Sequence, residues 1–322
     1  MPLKIAMLGT GRIADVELAP ALTDRSGACL WSVLSRDAAR AQEFAARHGA
    51  RAPRAAFGDL DELLADPELD AVLIATPDRL HAEQAIAAAR AGKHVFTEKP
   101  MATEKDQAWA MVRACDEAKV RLGVGYHMRW HAGHRALAAA AHAGRFGELR
   151  HMRVQWARRQ DSDNNWRAHP EVGRWWSLAG VGTHCLDQVR WFMGPSCGEI
   201  VQVSSVISNA VWGSPHDETA VLALKFDNGA TAEICTSVLF DAPRRMEVYG
   251  SAGHALCEGT LGPKGNGTIV TGDGAFDFTP VNPYVAEIAD FAAAVREQRD
   301  PEVAGAEGAR NVEILLQAIG AD

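Results

Sequence analysis

Three short stretches of the chain combine residue types that do chemistry at the spacing chemistry needs. The first is Gly9-Thr10-Gly11-Arg12-Ile13-Ala14, a G-x-G-x-x-A run that follows an apolar stretch. The first glycine permits a tight turn, the second lets the backbone close on a pyrophosphate, and the positive end of the following helix meets the charge. The alternative is a plain strand-to-helix turn; the strand–turn–helix setting favours the phosphate reading. The second stretch is Glu98-Lys99-Pro100. A residue before proline is pushed extended, which places the Lys99 ammonium at the C-terminal edge of a sheet, where open α/β folds bind ligands. Taken alone, Lys99 is equally a solvated lysine. The third is Gly182-Thr183-His184-Cys185-Leu186-Asp187. His184 is expected in a first helical turn, where the positive helix end disfavours imidazolium and leaves a neutral base near neutral pH. Such a ring can give or take a hydroxyl proton; a satisfied structural histidine is the plainer alternative.

The elements that must position these groups are legible in the hydrophobic pattern. Residues 5–8, 29–34, 71–75, 94–97 and 121–124 read as strands, alternating with helices over 12–22, 38–48, 60–64, 81–91 and 106–118. Strand–helix alternation implies a parallel sheet covered on both faces, and the strands lack polar alternation, as buried parallel strands do. After about residue 125 the pattern changes. A helix over 134–143 is followed by strands at 149–156, 200–208, 220–226, 231–238 and 245–249, with one helix near 183–192. Asn228-Gly229 between two of these strands is a hairpin signal. Two helices, about 283–297 and 307–318, close the chain. The expected architecture is an α/β Rossmann domain over 1–124, then an α+β domain with a large, mostly antiparallel open sheet over 125–322 for substrate binding and oligomerisation. The tail helices have the option of packing back on the first domain.

Ser35-Arg36-Asp37 ends the second strand. A carboxylate there would bond both ribose hydroxyls of NAD, whereas an arginine fork suits a phosphate dianion. Ser35, Arg36 and Arg40 favour NADP(H). Asp37 has two readings, a ribose acid or the cap of the helix at Ala38, and capping preference favours the second. NAD(H) stays possible.

At Ala75-Thr76-Pro77-Asp78-Arg79-Leu80-His81 and His94-Val95-Phe96-Thr97-Glu98-Lys99-Pro100 the sequence resembles the Gfo/Idh/MocA family, which includes glucose–fructose oxidoreductases, inositol dehydrogenases and 1,5-anhydrofructose reductases. The resemblance covers essentially the whole chain, and the E-K-P tripeptide is its most specific mark. It implies that Lys99 lies beside the nicotinamide and the reacting oxygen, that Glu98 helps hold the cofactor, and that His184, with Asp187 three residues on, handles the proton. It also implies cofactor contacts at Thr76, Pro77 and His81 and at Trp166-Arg167, and substrate contacts at Tyr126, His127, Arg129 and Tyr284. The aromatic residues Trp166, Trp175 and Trp176 have the plainer alternative of packing. The chain departs from the family at one point. The family's D-x-G-x-H pattern has an aspartate four residues before the histidine, and Gly180 stands there. The usual Lys–Asp–His trio is thus reduced to Lys99 and His184.

The implied activity is transfer of a hydride between a nicotinamide and a sugar, polyol or related hydroxy or keto compound. The rivals are an NAD-dependent, non-redox glycoside-processing enzyme and a catalytically weak cofactor-binding sensor. The resemblance further implies a homodimer or homotetramer, paired through the exposed face of the second sheet. Other partners are disfavoured. The net charge of -8, with no basic block, is not that of a nucleic-acid coat. No stretch approaches the roughly 18 apolar residues of a membrane span, and the opening residues lack a signal pattern. Six cysteines without a C-x-x-C pair read as reduced thiols in the cytoplasm. His127, His131 and His134 share a helical spacing but have no carboxylate with them, so a solvated or substrate-facing cluster is expected, not a metal site.

Overall fold

The computed structural model describes residues 1–161 and 165–321. The chain divides into two compact units, one of Met1–Tyr126 with Tyr284–Val312 and one of His127–Pro283 with Glu313–Asp322. The first is a Rossmann unit. Its strands are β1 (Leu3–Leu8), β2 (Ala28–Leu34), β3 (Ala56–Phe57), β4 (Ala71–Ile74), β5 (His94–Thr97) and β6 (Leu122–Val124). They form one parallel sheet in the order β3-β2-β1-β4-β5-β6. Every residue of β2 and β4 is buried, which is why these strands are apolar on both faces. The order reverses between β1 and β4, and the carboxyl ends at that reversal are where such sheets bind ligands.

The helices Ala38–Arg47, Leu60–Leu64, His81–Arg90 and Lys105–Ala118 follow the expected alternation to within a residue or two. The opening helix differs. A helix is expected over 12–22 and helical winding runs over 12–21, but its middle is π-wound over Ala14–Leu18 before a single α-turn, Ala19–Ala21. Pro20 lies in that last turn and has no amide hydrogen to give, so a regular ladder cannot run through it.

The second unit is built on an eight-stranded sheet. Its strands are β7 (Leu149–Ala157), β8 (Ile200–Ser208), β9 (Thr219–Phe226), β10 (Thr231–Ser237), β11 (Arg245–Gly250), β12 (His254–Glu258), β13 (Thr268–Thr271) and β14 (Gly274–Ala275), in the order β14-β13-β12-β11-β7-β10-β9-β8. All neighbours are antiparallel except β7 and β10. The β9–β10 hairpin turns at Asn228-Gly229, with Gly229 at φ +87°, a value its lack of a side chain allows. Alternate residues of β9 are buried, and most of β8 is exposed. One face is therefore core and the other open. The helix Thr183–Cys197 packs against the sheet through β7. Strands β12 to β14 go beyond the sequence reading, because they are short and separated by glycine-rich turns, too brief to show a two-residue alternation. Among the described residues no helix is long and apolar enough to cross a membrane, and all six cysteines are free thiols.

Candidate active site

In the Rossmann unit the turn after β1 is shaped by Gly9. Its φ is +101°, and a Cβ there would lie 2.6 Å from the Ala75 carbonyl oxygen. Only glycine fits that approach. At Gly11 a Cβ would meet nothing within 4 Å, so its backbone borders open space. Arg12 is exposed, Ile13 is half-buried, and the Asp15 amide donates to the Gly11 carbonyl at 3.0 Å, starting the helix. The turn fits a diphosphate, because a tight approach and an open glycine backbone stand directly before a helix.

The end of β2 lies beside this turn. The Asp37 carboxylate accepts from the Arg40 amide at 3.1 Å and caps the helix Ala38–Arg47. Arg40 reaches back and donates to the Thr10 carbonyl at 2.9 Å. Ser35 is half-buried, with its hydroxyl accepting from the Asp37 amide at 3.3 Å, and Arg36 is exposed. A cavity of about 410 Å³ is lined by Thr10, Asp37 and Arg40 among others.

The turn after β4 is tied to the turn after β5 by one buried ring. His81 sets Nε2 2.9 Å from the Thr76 carbonyl and Nδ1 2.9 Å from the Pro100 carbonyl. Thr76 also donates its hydroxyl to Gln84 at 2.7 Å, and Pro77 is exposed. The Glu98 amide donates to the Ile74 carbonyl at 2.8 Å. Its carboxylate accepts from the Lys99 amide at 3.2 Å, and the Lys99–Pro100 peptide is cis. Lys99 is half-buried. Tyr126 and Tyr284 are buried, and burial, with Glu98 and Glu287 nearby, pushes the Tyr284 hydroxyl well above the usual tyrosine range. That hydroxyl stays neutral.

In the second unit Arg129 holds Asp187 through two parallel hydrogen bonds, Nε to Oδ2 at 2.8 Å and Nη2 to Oδ1 at 2.6 Å, both side chains being almost wholly buried. This pair fastens the turn His127–Trp130 to the helix Thr183–Cys197. The His127 ring then meets the His184 ring edge-on, centroids 4.7 Å apart, while Trp156 stacks on His184 at 5.8 Å. His184 is thereby held between an imidazole and an indole. Trp166 is exposed and carries the Arg167 guanidinium 3.9 Å over its ring. Trp175 and Trp176 are core residues.

Two expectations need correction. A first helical turn is expected at His184. The helical winding instead begins one turn earlier, as a π-turn over Leu178–Gly182 that runs directly into Thr183–Cys197. The buried carboxylate of Asp217 meets that true start, accepting from the Trp176 amide at 2.8 Å, the Leu178 amide at 2.7 Å and the Ser177 hydroxyl at 2.5 Å. Burial nonetheless pushes Asp217 up to about 6. The helix-end effect therefore acts near Leu178, and the surroundings of His184 are set by its ring neighbours. Of the two readings of the His127, His131 and His134 cluster, the solvated one is overturned, since all three are buried. His131 caps its helix, taking the His134 amide on Nδ1 at 3.3 Å and facing the Asn266 carbonyl with Nε2 at 3.0 Å. Burial lowers His131 and holds His134 well below the ordinary histidine range.

Sequence reasoning passes over two acids, Asp217 and Glu287, which are both buried. Glu287 has a signal: it stands in the apolar stripe of its helix, between Tyr284 and Ile288.

A Rossmann unit with a diphosphate-shaped turn, joined in one chain to an open-sheet unit holding a buried histidine, defines a nucleotide-dependent oxidoreductase architecture. The profile described as "Oxidoreductase family, NAD-binding Rossmann fold" matches residues 3–126, and that of the GFO/IDH/MocA C-terminal domain matches residues 134–256. The 1,5-anhydro-D-fructose reductase of Ensifer adhaerens is 30% identical over 310 residues, 94% of this chain and 91% of that protein. The aldose-aldose oxidoreductase from Caulobacter crescentus, solved with glycerol, superposes with a TM-score of 0.92 at 24% identity, covering 100% of this chain and 97% of that one. The WlbA dehydrogenase from Bordetella pertussis, solved with NADH and UDP-GlcNAcA, gives a TM-score of 0.84 at 26% identity over 99% of this chain and 95% of that one. The chain belongs to the Gfo/Idh/MocA family of oxidoreductases and binds a nicotinamide dinucleotide.

Proposed function

We propose that this chain is an NADP(H)-preferring oxidoreductase acting on a sugar, polyol or related hydroxy or keto compound. The observation that carries this reading is the Gly9 turn, closed to any side chain at Gly9 and open at Gly11, which suits a dinucleotide diphosphate. The bound nicotinamide would supply or accept the hydride. The chain's own residues do the rest. Lys99, held by the turn between Glu98 and Pro100, polarises the reacting oxygen, and His184 gives or takes its proton. Thr10, Arg12, Ile13, Ser35, Arg36, Arg40, Thr76, Pro77, His81, Glu98, Trp166 and Arg167 serve the cofactor. Tyr126, His127, Arg129, Asp187 and Tyr284 serve the substrate or hold the residues that do. The 1,5-anhydro-D-fructose reductase and the dehydrogenase solved with NADH and UDP-GlcNAcA, both named above, support the substrate class. Fluorescence titration with NADPH and NADH, followed by an absorbance screen of keto sugars and polyols, tests the reading; failure to bind either coenzyme would end it.

The preference for NADP(H) rests on Asp37, whose carboxylate is occupied in capping, and on Arg36, left exposed at the end of β2. Arg36→Ala is expected to weaken NADPH binding about tenfold, since charge-assisted hydrogen bonds contribute roughly 1.5–3 kcal/mol. NADH binding should change by less than about twofold. Equal losses for both coenzymes would contradict the preference.

Gly180 supports a second reading, that of a weakly active, cofactor-binding sensor. The family's aspartate is missing there, and Asp187 is bound to Arg129. A side chain would fit, because a Cβ at Gly180 meets nothing within 4 Å. Gly180→Asp is expected to raise kcat by about tenfold or more, the lower range of what a placed acid–base group contributes. Unchanged turnover in steady-state assays would show that the family's aspartate has no role here.

We also propose a cytoplasmic homodimer or homotetramer formed through the open face of the eight-stranded sheet. Val206 is 71% exposed and sits opposite Val221, itself 42% exposed. Light scattering on the eluting protein should give two or four chain masses, and Val206→Glu should give one. A wild-type monomer would overturn this.

A further inference from the structure

The helix Pro283–Glu297 places an acid inside the core of the Rossmann unit. Tyr284, Ile288 and Phe291 on the same stripe belong to its hydrophobic cluster, and Glu287 between them is only 4% exposed. Among the described residues no group donates a hydrogen bond to either Glu287 carboxyl oxygen. A lone carboxylate in such surroundings is costly, and the group responds by keeping its proton.

What faces Glu287 follows from how this helix crosses the sheet. Arg121, just before β6, donates to the Gln298 carbonyl just past the helix's far end at 2.5 Å. In the middle, Phe291 meets Phe96 edge-on at 5.3 Å and crowds Gly123. The helix therefore runs antiparallel to β5 and β6. One turn back from Phe291, about 6 Å along the axis, is Glu287. Two residues on from Phe96, about 6.6 Å along the strand, is Glu98. By these rises Glu287 and Glu98 fall at the same level, at the carboxyl end of the sheet, and two carboxyl groups brought close together cannot both be charged.

We propose that Glu98 and Glu287 hold a single proton between them, with Glu287 the neutral donor that positions Glu98 at the Lys99–Pro100 turn. Glu98 then takes the Lys99 amide at 3.2 Å on one side and the Glu287 hydroxyl on the other. The remaining groups are consistent with one negative charge. Burial and the Glu98 charge both raise Glu287 well above the usual range. Tyr284 is kept neutral by burial, by Glu98 and Glu287, and by Glu17 on the opening helix, with Arg12 opposing. The Lys99 ammonium is on the same turn as Glu98. Glu287 is a positioning residue, since it acts through Glu98. The consequence for coenzyme rests on the proposed role of Glu98; the protonation itself does not.

The test is infrared spectroscopy of the full chain without coenzyme at about pH 8, where a buried glutamic acid of this kind keeps its proton. Asp217, raised to about 6, is ionised there and stays silent. A protonated-carboxyl carbonyl band is expected in the wild type, missing in Glu287→Gln and displaced in Glu98→Gln. Coenzyme affinity should hold within about twofold in Glu287→Gln, which can still donate, and fall about tenfold in Glu287→Leu, which cannot. Absence of the band in the wild type, or its persistence unchanged in Glu287→Gln, overturns the shared proton. Equal affinity in the Gln and Leu variants overturns the positioning role. If the wild type binds no coenzyme, the function proposed above fails, and the spectra still decide the proton.

Discussion

Replacing His184 by asparagine is expected to lower kcat by about 10²–10⁴, the range a general acid–base group contributes, while coenzyme affinity stays within about twofold of wild type. The expectation follows from how the ring is held. Trp156 stacks on one side and His127 meets it edge-on, so His184 has little freedom to adopt a second orientation, and its position is set before substrate arrives. Asparagine keeps a polar group of similar reach but cannot carry a proton between states. A pH profile sharpens the test, because the wild type should show an ionisation in kcat that the variant lacks. A variant with kcat within a factor of about two of wild type, at intact near-ultraviolet circular dichroism, would remove His184 from the proton step.

Breaking the Arg129–Asp187 pair should have the largest effect on stability. Asp187→Ala leaves the Arg129 guanidinium, whose side chain is 4% exposed, without the carboxylate that takes two of its hydrogen bonds. Removing one partner of a buried pair costs about 3–5 kcal/mol, because the other charge remains desolvated. Replacing both partners, Arg129→Met with Asp187→Leu, should recover most of that loss in denaturant titrations, since apolar groups of similar volume often match a buried pair. The double variant should still lose activity, because the pair fastens the turn carrying His127 to the helix carrying His184. A single-variant loss below about 1 kcal/mol would mean the pair is far better solvated than its burial indicates.

Much of the Rossmann unit is legible in the residue pattern. β5 falls on residues 94–97 as expected, and the other long strands and helices end within a residue or two of their expected limits, because continuous apolar runs and alternating glycine stops report burial directly. β8 and the helix Pro283–Glu297 also match their expected ranges. The two-residue β3 has no pattern to show, being shorter than any periodicity. The start of the His184 helix escapes the sequence because its cap, Asp217, lies about forty residues away along the chain, and local capping rules see only near neighbours. The burial of His131 and His134 is hidden for a related reason. Helical spacing names a face but does not say what covers it.

By itself the sequence determined the alternation of strands and helices, the glycine turn after β1, the residue types at Glu98-Lys99-Pro100 and His184, and the switch to an antiparallel sheet. These are local properties, written in spacing and in the conformations that glycine and proline allow. Tertiary structure decided the rest. It turned Asp187 toward Arg129, set His184 between His127 and Trp156, and buried Glu287 within the Rossmann unit. Hydrogen bonding and the sharing of protons depend on which side chains meet in the dry interior, and only the packing of the folded chain settles that.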